Sequence, residues 1–261
     1  MKEKKTKKIF LKKIKNIGII GAMEQEISFL KTQIKKCNIS IYFGYIFYTG
    51  KINDINIILI KSGIGKVAVS IATTLVIKKY NPDAIINIGS ACSLNNKLQI
   101  GDIAVSKEVK YHDVDITLFG YKIGQMAQCP TSFKANKKLI KITMDSISLL
   151  KFNSIAGLIC TGDSFINDKI IFNKIKKLFP KTIAIEMEAA AIGQVCYKFK
   201  IPFIIIRSIS DIANEKSKKN FNDFLYFSAQ QSSLVITNIL NKFNTKYFWY
   251  IIKILIFKKK L

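Results

Sequence analysis

Short apolar runs alternate with segments of helical periodicity through most of the chain. Three of the runs are predominantly apolar, as is typical of strands buried on both faces of a sheet: 16–21, 83–89 and 203–210. Residues 65–80 instead place apolar side chains at helical spacing, and this pattern stops before Pro82. Strands that alternate with helices predict an α/β fold with a mostly parallel sheet covered on both faces.

The same patterns predict the remaining elements between these runs. Strands are expected at 41–49, 55–61, 102–106 and 154–160, and helices at 23–36, 169–179, 187–199 and 222–242. A turn at Asn53-Asp54 separates two of the strands.

The two ends of the chain differ in composition from the part between them. Residues 1–15 are rich in lysine and predict a basic extension, residues 16–243 predict one domain, and 244–261 predict an apolar and basic tail. The apolar part of that tail, 247–257, is shorter than the about 20 residues that span a bilayer. It is therefore interpreted as an appended tail, with contact to a membrane surface as the second interpretation.

Charge and cysteine usage exclude several classes of function. The net charge of +25 lies about half in the two ends, and the body shows no dense stripe of basic residues, so no specific nucleic-acid partner is expected. Five cysteines without a C-x-x-C pair and a single histidine predict no disulfide framework, metal site or cofactor. Reduced thiols fit a cytoplasmic protein.

Two glycine-containing segments and the single histidine give no catalytic motif. Residues 61–66 (KSGIGK) lack the spacing of a phosphate-binding loop, and 18–21 (GIIG) lack the third glycine of a dinucleotide fingerprint. His112 is interpreted as a local hydrogen-bonding residue rather than a catalyst.

Acidic residues occur in three well-separated segments near one expected edge of the predicted sheet. Glu26 comes shortly after the first strand, Glu188 lies in IEME, and Asp211 ends RSISD. Arg207, in the last of these segments, is the only arginine among 42 basic residues. Because α/β sheets bind ligands beyond the carboxyl ends of their strands, these residues predict an enzymatic cleft at that edge.

The ordered motifs of the chain resemble a known enzyme family. GIIGAMEQE, KSGIGKVAVSIATT, NIGSA, GDIAVS, TGDSFIN, IEMEAAAI and RSISDIA occur in the order typical of bacterial 5′-methylthioadenosine/S-adenosylhomocysteine nucleosidases. The resemblance covers residues from about 15 to 243. It implies a nucleoside-phosphorylase-like single domain with a central twisted mixed sheet flanked by helices, and a homodimer. It also implies hydrolysis of the N-glycosidic bond of 5′-thioadenosines, and of 5′-deoxyadenosine, within methionine salvage and methyl-cycle recycling.

The resemblance assigns a role to each polar residue at the expected cleft. Asp211 protonates the departing purine at N7, and Glu26 holds and deprotonates the attacking water. Glu188 binds the ribose 2′- and 3′-hydroxyls, with Arg207 near that carboxylate and Ser90 near the ribose. Two opposed carboxyl groups parallel the acid and base of inverting glycosidases.

The resemblance also assigns an apolar set around the base and the 5′-thio group. The base is expected to stack on Phe165, with the backbone of Ile166 at its edge and Met187 under the ribose. One wall of the 5′-thio pocket is assigned to Met23, Ile64 and Phe221. The residues that a neighbouring subunit contributes to this pocket are assigned to Ile116, Phe119 and Tyr121.

Two residues near these motifs, Cys92 and Glu186, have no assigned role at the site. Cys92 stands where the family usually has glycine, which bears on substrate affinity, and Glu186 is expected to point away from Glu188.

Rival functions of the same fold stay open. A purine nucleoside phosphorylase is disfavoured, because phosphate binding normally requires arginines or an amide-rich nest. A futalosine hydrolase and a non-catalytic nucleoside-binding relic are also compatible with these motifs.

Overall fold

The structure, a computed structural model, describes residues 14–212 and 217–243, with backbone alone for 217–223. The predicted tail at 244–261 and nearly all of the predicted extension at 1–15 lie outside the described residues. The strands are β1 (Asn16–Gly21), β2 (Lys35–Tyr42), β3 (Tyr45–Ile52), β4 (Ile55–Lys61), β5 (Ala84–Ser93), β6 (Ile103–Tyr111), β7 (Phe133–Lys134), β8 (Ser154–Thr161), β9 (Thr182–Glu186) and β10 (Phe203–Ile212). The helices are α1 (Glu24–Gln33), α2 (Lys66–Tyr80), α3 (Lys137–Leu149), α4 (Lys169–Leu178), α5 (Ala189–Phe199) and α6 (Ser217–Phe243).

The strands form one mixed sheet with β5 at its centre. Strand β5 pairs in parallel with β1 and β10 and antiparallel with β9. Strand β6 pairs with β10 and β8, and β8 pairs with β9, so β5, β10, β6, β8 and β9 close into a ring. The predicted mixed sheet with flanking helices is confirmed.

The expectation that the sheet is mostly parallel is wrong on the β2–β3–β4 side. These three strands pair antiparallel because tight turns connect them at Phe43-Gly44 and at Asn53-Asp54. A two-residue turn can join only antiparallel neighbours, since a parallel pair needs a long crossover.

Helices cover the sheet and bury an isoleucine-rich core. Helix α6 packs against α1, α3 and β10, while α2 packs against α5. Side chains such as Ile19, Ile86 and Ile204 in the central strands are fully buried. Within the described residues, no helix combines the length and the apolar character that a membrane crossing requires.

Several predicted boundaries need correction. The helix predicted at 23–36 ends at Gln33, because the chain turns into strand β2 at Lys35. The strand predicted at 41–49 is interrupted by the turn at Phe43-Gly44 and corresponds mainly to β3. Helix α3 and the strands β2, β7 and β9 were not among the predicted elements. Helix α6 begins at Ser217, five residues before its predicted start.

Candidate active site

A cavity of about 360 Å³ opens at the carboxyl ends of the central strands. This volume is in the range of small-molecule binding sites. Its lining is apolar apart from a group of acids and serines: Ala22, Met23, Glu26, Ile64, Ser90, Ala91, Cys92, Ser164, Phe165, Ile166, Ile185, Glu186, Met187, Glu188, Ser210 and Asp211.

Most of the residues predicted for the site line this one cavity. They are Met23, Glu26, Ile64, Ser90, Phe165, Ile166, Met187, Glu188 and Asp211. The side chain of Phe221 lies outside the described part of the structure. Ile116, Phe119 and Tyr121, which the resemblance assigns to a neighbouring subunit's site, do not line the cavity of their own chain, and Phe119 is 75% exposed.

Glu26 is held in the first turn of α1 by the backbone that precedes this helix. Its Oε2 accepts hydrogen bonds from the N–H groups of Ala22 (2.7 Å) and Met23 (3.1 Å), and its Oε1 accepts from the N–H of Ser90 (3.1 Å). Burial raises the pKa of Glu26, whereas Arg207 and the three N–H groups oppose that rise. The carboxyl group is thus fixed in place and made more basic than in water.

Asp211 owes its position to a bulge in β10. Opposite β5, Ile209 pairs with Ala91 and Asp211 with Cys92, so Ser210 is the extra residue. Asp211 Oδ1 accepts a hydrogen bond from Ser210 Oγ at 2.8 Å. Within the described part of the chain, no nitrogen or oxygen donor reaches the buried Oδ2.

The surroundings of Asp211 favour its protonated form. Burial raises the pKa of its carboxyl group, while the Ser210 hydroxyl and the Cys92 thiol lower it through hydrogen bonding. A carboxyl group whose pKa is raised by burial is better suited to serve as a general acid than one in water.

Arg207 lies behind the acids, beside the carboxylate of Glu188 as expected. It does not line the cavity, and its role in substrate binding stays a prediction. The side chain is fully buried, and its NH2 group donates to Asn87 Oδ1 (2.8 Å), to Glu188 Oε2 (3.2 Å) and to Glu186. Its NH1 group donates to the carbonyl of Ile88 at 3.3 Å. The guanidinium therefore positions carboxylates that themselves reach the cavity.

Glu186 does not point away from the site, contrary to the prediction. Its Oε2 accepts hydrogen bonds from the N–H groups of Glu188 (2.9 Å) and Ala189 (2.8 Å), and its Oε1 accepts from the hydroxyl of Thr161. Strand β9 ends at Glu186, so the chain turns here and the carboxylate caps the start of α5. The turn brings Glu186 and Glu188 to the same guanidinium.

Glu188 is held both by a backbone N–H and by the Arg207 guanidinium. Its Oε1 accepts a hydrogen bond from the N–H of Gly65 at 2.8 Å. Burial, opposed by Arg207 and reinforced by the charge of Glu186, raises the pKa of Glu188 to about 7. Glu188 thus exchanges a proton near neutral pH.

Comparison with known proteins agrees with this arrangement. A profile of the phosphorylase superfamily matches residues 16–243. A 5′-methylthioadenosine/S-adenosylhomocysteine nucleosidase of Psychromonas ingrahamii is 49% identical over 231 residues, which is 87% of this chain and 99% of its own length. The chain belongs to this nucleosidase family.

Solved structures share the fold of this nucleosidase. The family's enzyme from Colwellia psychrerythraea, in complex with adenine, has a TM-score of 0.86 at 39% identity and covers 88% of this chain and 96% of its own. A futalosine hydrolase of Helicobacter pylori has a TM-score of 0.83 at 30% identity and covers 88% of this chain and 98% of its own.

Two further residues of the nucleosidase site carry weaker signals in the sequence. A Cβ at Gly89 would lie 1.9 Å from Arg207 NH1 and 2.7 Å from Glu26 Oε1, so only glycine fits between these groups. Asn87 is a buried polar residue in an otherwise apolar strand, and its Nδ2 also donates to the Ile20 carbonyl at 2.8 Å. A glycine and an asparagine inside β5 were the available signals, because neither residue suits a buried strand without a specific reason.

Proposed function

We propose that the chain hydrolyses the N-glycosidic bond of 5′-methylthioadenosine, S-adenosylhomocysteine and 5′-deoxyadenosine. The products are adenine and a 5-thioribose or, from the last substrate, 5-deoxyribose. As a member of the family, the chain is an N-glycosyl hydrolase. The observation that supports the assignment of roles most strongly is that Glu26 and Asp211, both nearly inaccessible, line one nucleoside-sized cavity.

Asp211 is proposed as the acid that assists departure of the base. Bond cleavage leaves negative charge on the purine, and a proton delivered to N7 neutralises it. The protonated form of Asp211 is favoured by burial, and its neighbours Ser210 and Cys92 carry no positive charge. Positioned proton transfer of this kind contributes about 10²–10⁴-fold to rate.

Glu26 is proposed as the base that activates water. As the C1′–N bond breaks, the ribose acquires cation-like character, and a water on the opposite face must lose a proton as it attacks. Hydrogen bonds from Ala22 and Ser90 fix the two oxygens of Glu26, so the carboxylate needs no reorganisation during the reaction.

Glu188 is proposed to bind the ribose hydroxyls. One of its oxygens is held by Gly65 N–H and the other by Arg207, which leaves the remaining lone pairs for the sugar. Ser90, which lines the same cavity, lies near the ribose in this arrangement.

The apolar part of the lining is proposed to hold the base and the 5′ substituent. Phe165 provides a stacking surface, the backbone of Ile166 reads the purine edge, and Met187 packs under the ribose. Met23 and Ile64 form one wall for the uncharged methylthio group. Apolar contacts suit this group because it has no charge or hydrogen-bond donor.

Water is favoured over phosphate as the nucleophile. The lining contains four acids and, among the described residues, no lysine, arginine or histidine. A phosphate dianion would meet like charge with no compensating cation, whereas a neutral water would not.

A homodimer in the cytoplasm completes the proposal. Ile116, Phe119 and Tyr121 are proposed to reach the 5′-thio pocket of a second copy. The exposure of Phe119 (75%) and of its neighbour Leu118 (91%) supports this, because large apolar side chains left in water are typical of contact surfaces. Cysteines that are all free fit a reducing compartment.

Adenine release by the purified chain tests the proposal. We expect adenine from methylthioadenosine and S-adenosylhomocysteine in phosphate-free buffer, with 5-methylthioribose and S-ribosylhomocysteine as the sugar products. Phosphate should change neither the rate nor the products. A sugar 1-phosphate would contradict hydrolysis, and turnover of futalosine alone would contradict the proposed substrate class.

A further inference from the structure

Three chain segments, two of which border the cavity, are joined by a cluster of charged residues that the catalytic proposal does not use. Lys66 Nζ donates to Asp113 Oδ2 at 2.6 Å, and it also lies 3.7 Å from Asp163 Oδ2. We refer to Lys66, Asp113 and Asp163 as the loop clamp. Its members follow β4, β6 and β8, so one cluster joins three segments that are far apart in the sequence.

Backbone hydrogen bonds make the loop clamp more than a set of surface ion pairs. Asp163 Oδ1 accepts from the N–H of Lys66 at 2.8 Å, and Asp113 Oδ2 accepts from the N–H of Asp163 at 3.0 Å. The side chains are 25% to 45% exposed, so their mutual attraction alone is weak in water. Hydrogen bonds between a carboxylate and a backbone N–H are stronger and fix the loops directly.

The start of helix α2 explains why Asp163 is needed. The N-cap position of α2 is Gly65, which has no side chain to cap the helix, and its φ of +94° disfavours any other residue. Asp163 supplies the missing acceptor from another loop, and a Cβ at Gly65 would lie only 3.0 Å from its Oδ1.

Both loops held in this way lead directly into the cavity. Gly65, next to Lys66, donates its N–H to Glu188, and Ile64 before it lines the cavity. Asp163 directly precedes the segment 164–166, which also lines the cavity. The loop clamp therefore sets the distance between the N–H that holds Glu188 and the segment that carries Phe165.

We propose that Lys66, Asp113 and Asp163 are positioning residues for nucleoside binding in this enzyme. They hold the Gly65 N–H and residues 164–166 at the separation that a ribose and its base require. This inference rests on the proposed function, in which Glu188 binds the ribose and Phe165 the base. The hydrogen bonds of the loop clamp involve neither Asp211 nor Glu26, so it acts on binding more than on the chemical step.

Steady-state kinetics of Lys66→Met with methylthioadenosine test the proposal. We expect KM to rise about tenfold, which corresponds to a loss of one modest charged contact, with kcat within about threefold of the parent. Lys66→Arg should restore most of the affinity. Lys141→Met, which breaks the remote Lys141–Asp145 pair on α3, is the matched control and should leave KM unchanged.

A second variant and a measurement of adenine binding distinguish failure of this inference from failure of the proposed function. Asp163→Asn retains an oxygen for the Lys66 N–H and should raise KM less than Asp163→Ala does. The affinity for adenine, measured by calorimetry, should fall in Lys66→Met because residues 164–166 are displaced. If Lys66→Met matches Lys141→Met in KM and in adenine affinity, the proposal is wrong. A parent enzyme that binds adenine but releases none from any nucleoside would instead contradict the proposed function, and adenine affinity would still decide the role of the loop clamp.

Discussion

Asp211 and Glu26 are both buried carboxyl groups at the same cavity, yet their partners differ in kind. Glu26 accepts three backbone hydrogen bonds and feels the charge of Arg207. Asp211 accepts from one hydroxyl and lies beside the Cys92 thiol, and among the residues that the structure describes no positive charge contributes to its pKa. Burial raises both pKa values, but only Glu26 has strong compensation for its charged form. Equal burial with unequal partners thus suits the two carboxyl groups to the different roles proposed for them.

The largest expected effect comes from removing the proton of Asp211. Asp211→Asn keeps the shape of the side chain but cannot protonate N7, so kcat for adenine release should fall about 10³-fold. Binding of adenine should change little, because the cavity keeps its lining. Adenine release followed by chromatography, with adenine affinity measured by calorimetry, checks both parts. Turnover near that of the parent would remove Asp211 as the acid.

Loss of the cation behind the acids should act on stability. Arg207→Met leaves Glu186 and Glu188 buried without their cation, which costs about 3–5 kcal/mol in the free energy of unfolding. Urea denaturation measures this loss. The loss should be smaller in a Glu186→Gln background, since one unpaired charge is then absent. A cost below about 1 kcal/mol in both backgrounds would show that Arg207 does not hold these acids.

The acids around Arg207 also predict how stability depends on pH. Glu188 has a pKa of about 7 in the folded chain against an ordinary value of 4.5, so between these pH values the folded state binds more protons than the unfolded state. The free energy of unfolding should therefore fall as pH rises from 4.5 to 7, by about 1–3 kcal/mol, and level off above that range. Urea denaturation of the unliganded protein across this range measures the slope. Glu188→Gln should flatten it; an unchanged slope would assign the effect to other groups.

The smallest expected effect concerns the thiol beside Asp211. Cys92 lowers the pKa of Asp211, so Cys92→Gly should raise that pKa and shift the alkaline limb of the kcat/KM profile to higher pH, by less than about one unit. Ser210→Ala, which removes the other donor to Asp211, should shift the limb in the same direction. A shift to lower pH in either variant would contradict this description of the acid.

The fold was predictable where sequence periodicity is strong. The buried strands at β1, β5 and β10 and the helix α2 lie close to their predicted positions, because continuous apolar runs and helical spacing are unambiguous over these lengths. Helix α3 was missed although Asn136 caps it, accepting from the N–H groups of Lys138 and Leu139. Strand β9 has only five residues, too few for periodicity to define.

The residue types of the site could be predicted from the sequence, but part of their arrangement in space could not. Glu26 and Asp211 follow predicted strands, so their convergence on one edge could be expected from topology. Glu188 follows β9, which was not predicted, and its place at the same edge was expected from the position of its segment alone. The position of Arg207 behind the acids could not, because it depends on space that Gly89 leaves open on the neighbouring strand. The bulge that aims Asp211 into the cavity also has no mark in the sequence.

The proposed roles of Asp211 as proton donor and Glu26 as proton acceptor can be tested most directly with a leaving group that needs no proton. A 4-nitrophenyl riboside with the same 5-methylthio group releases 4-nitrophenolate, which is a stabilised anion. Its departure therefore requires no acid. We expect Asp211→Asn to hydrolyse this compound within about tenfold of the parent enzyme while remaining about 10³-fold slower on methylthioadenosine. Glu26→Gln should be slow on both substrates. Equal losses on both substrates in Asp211→Asn would contradict its role as the purine acid.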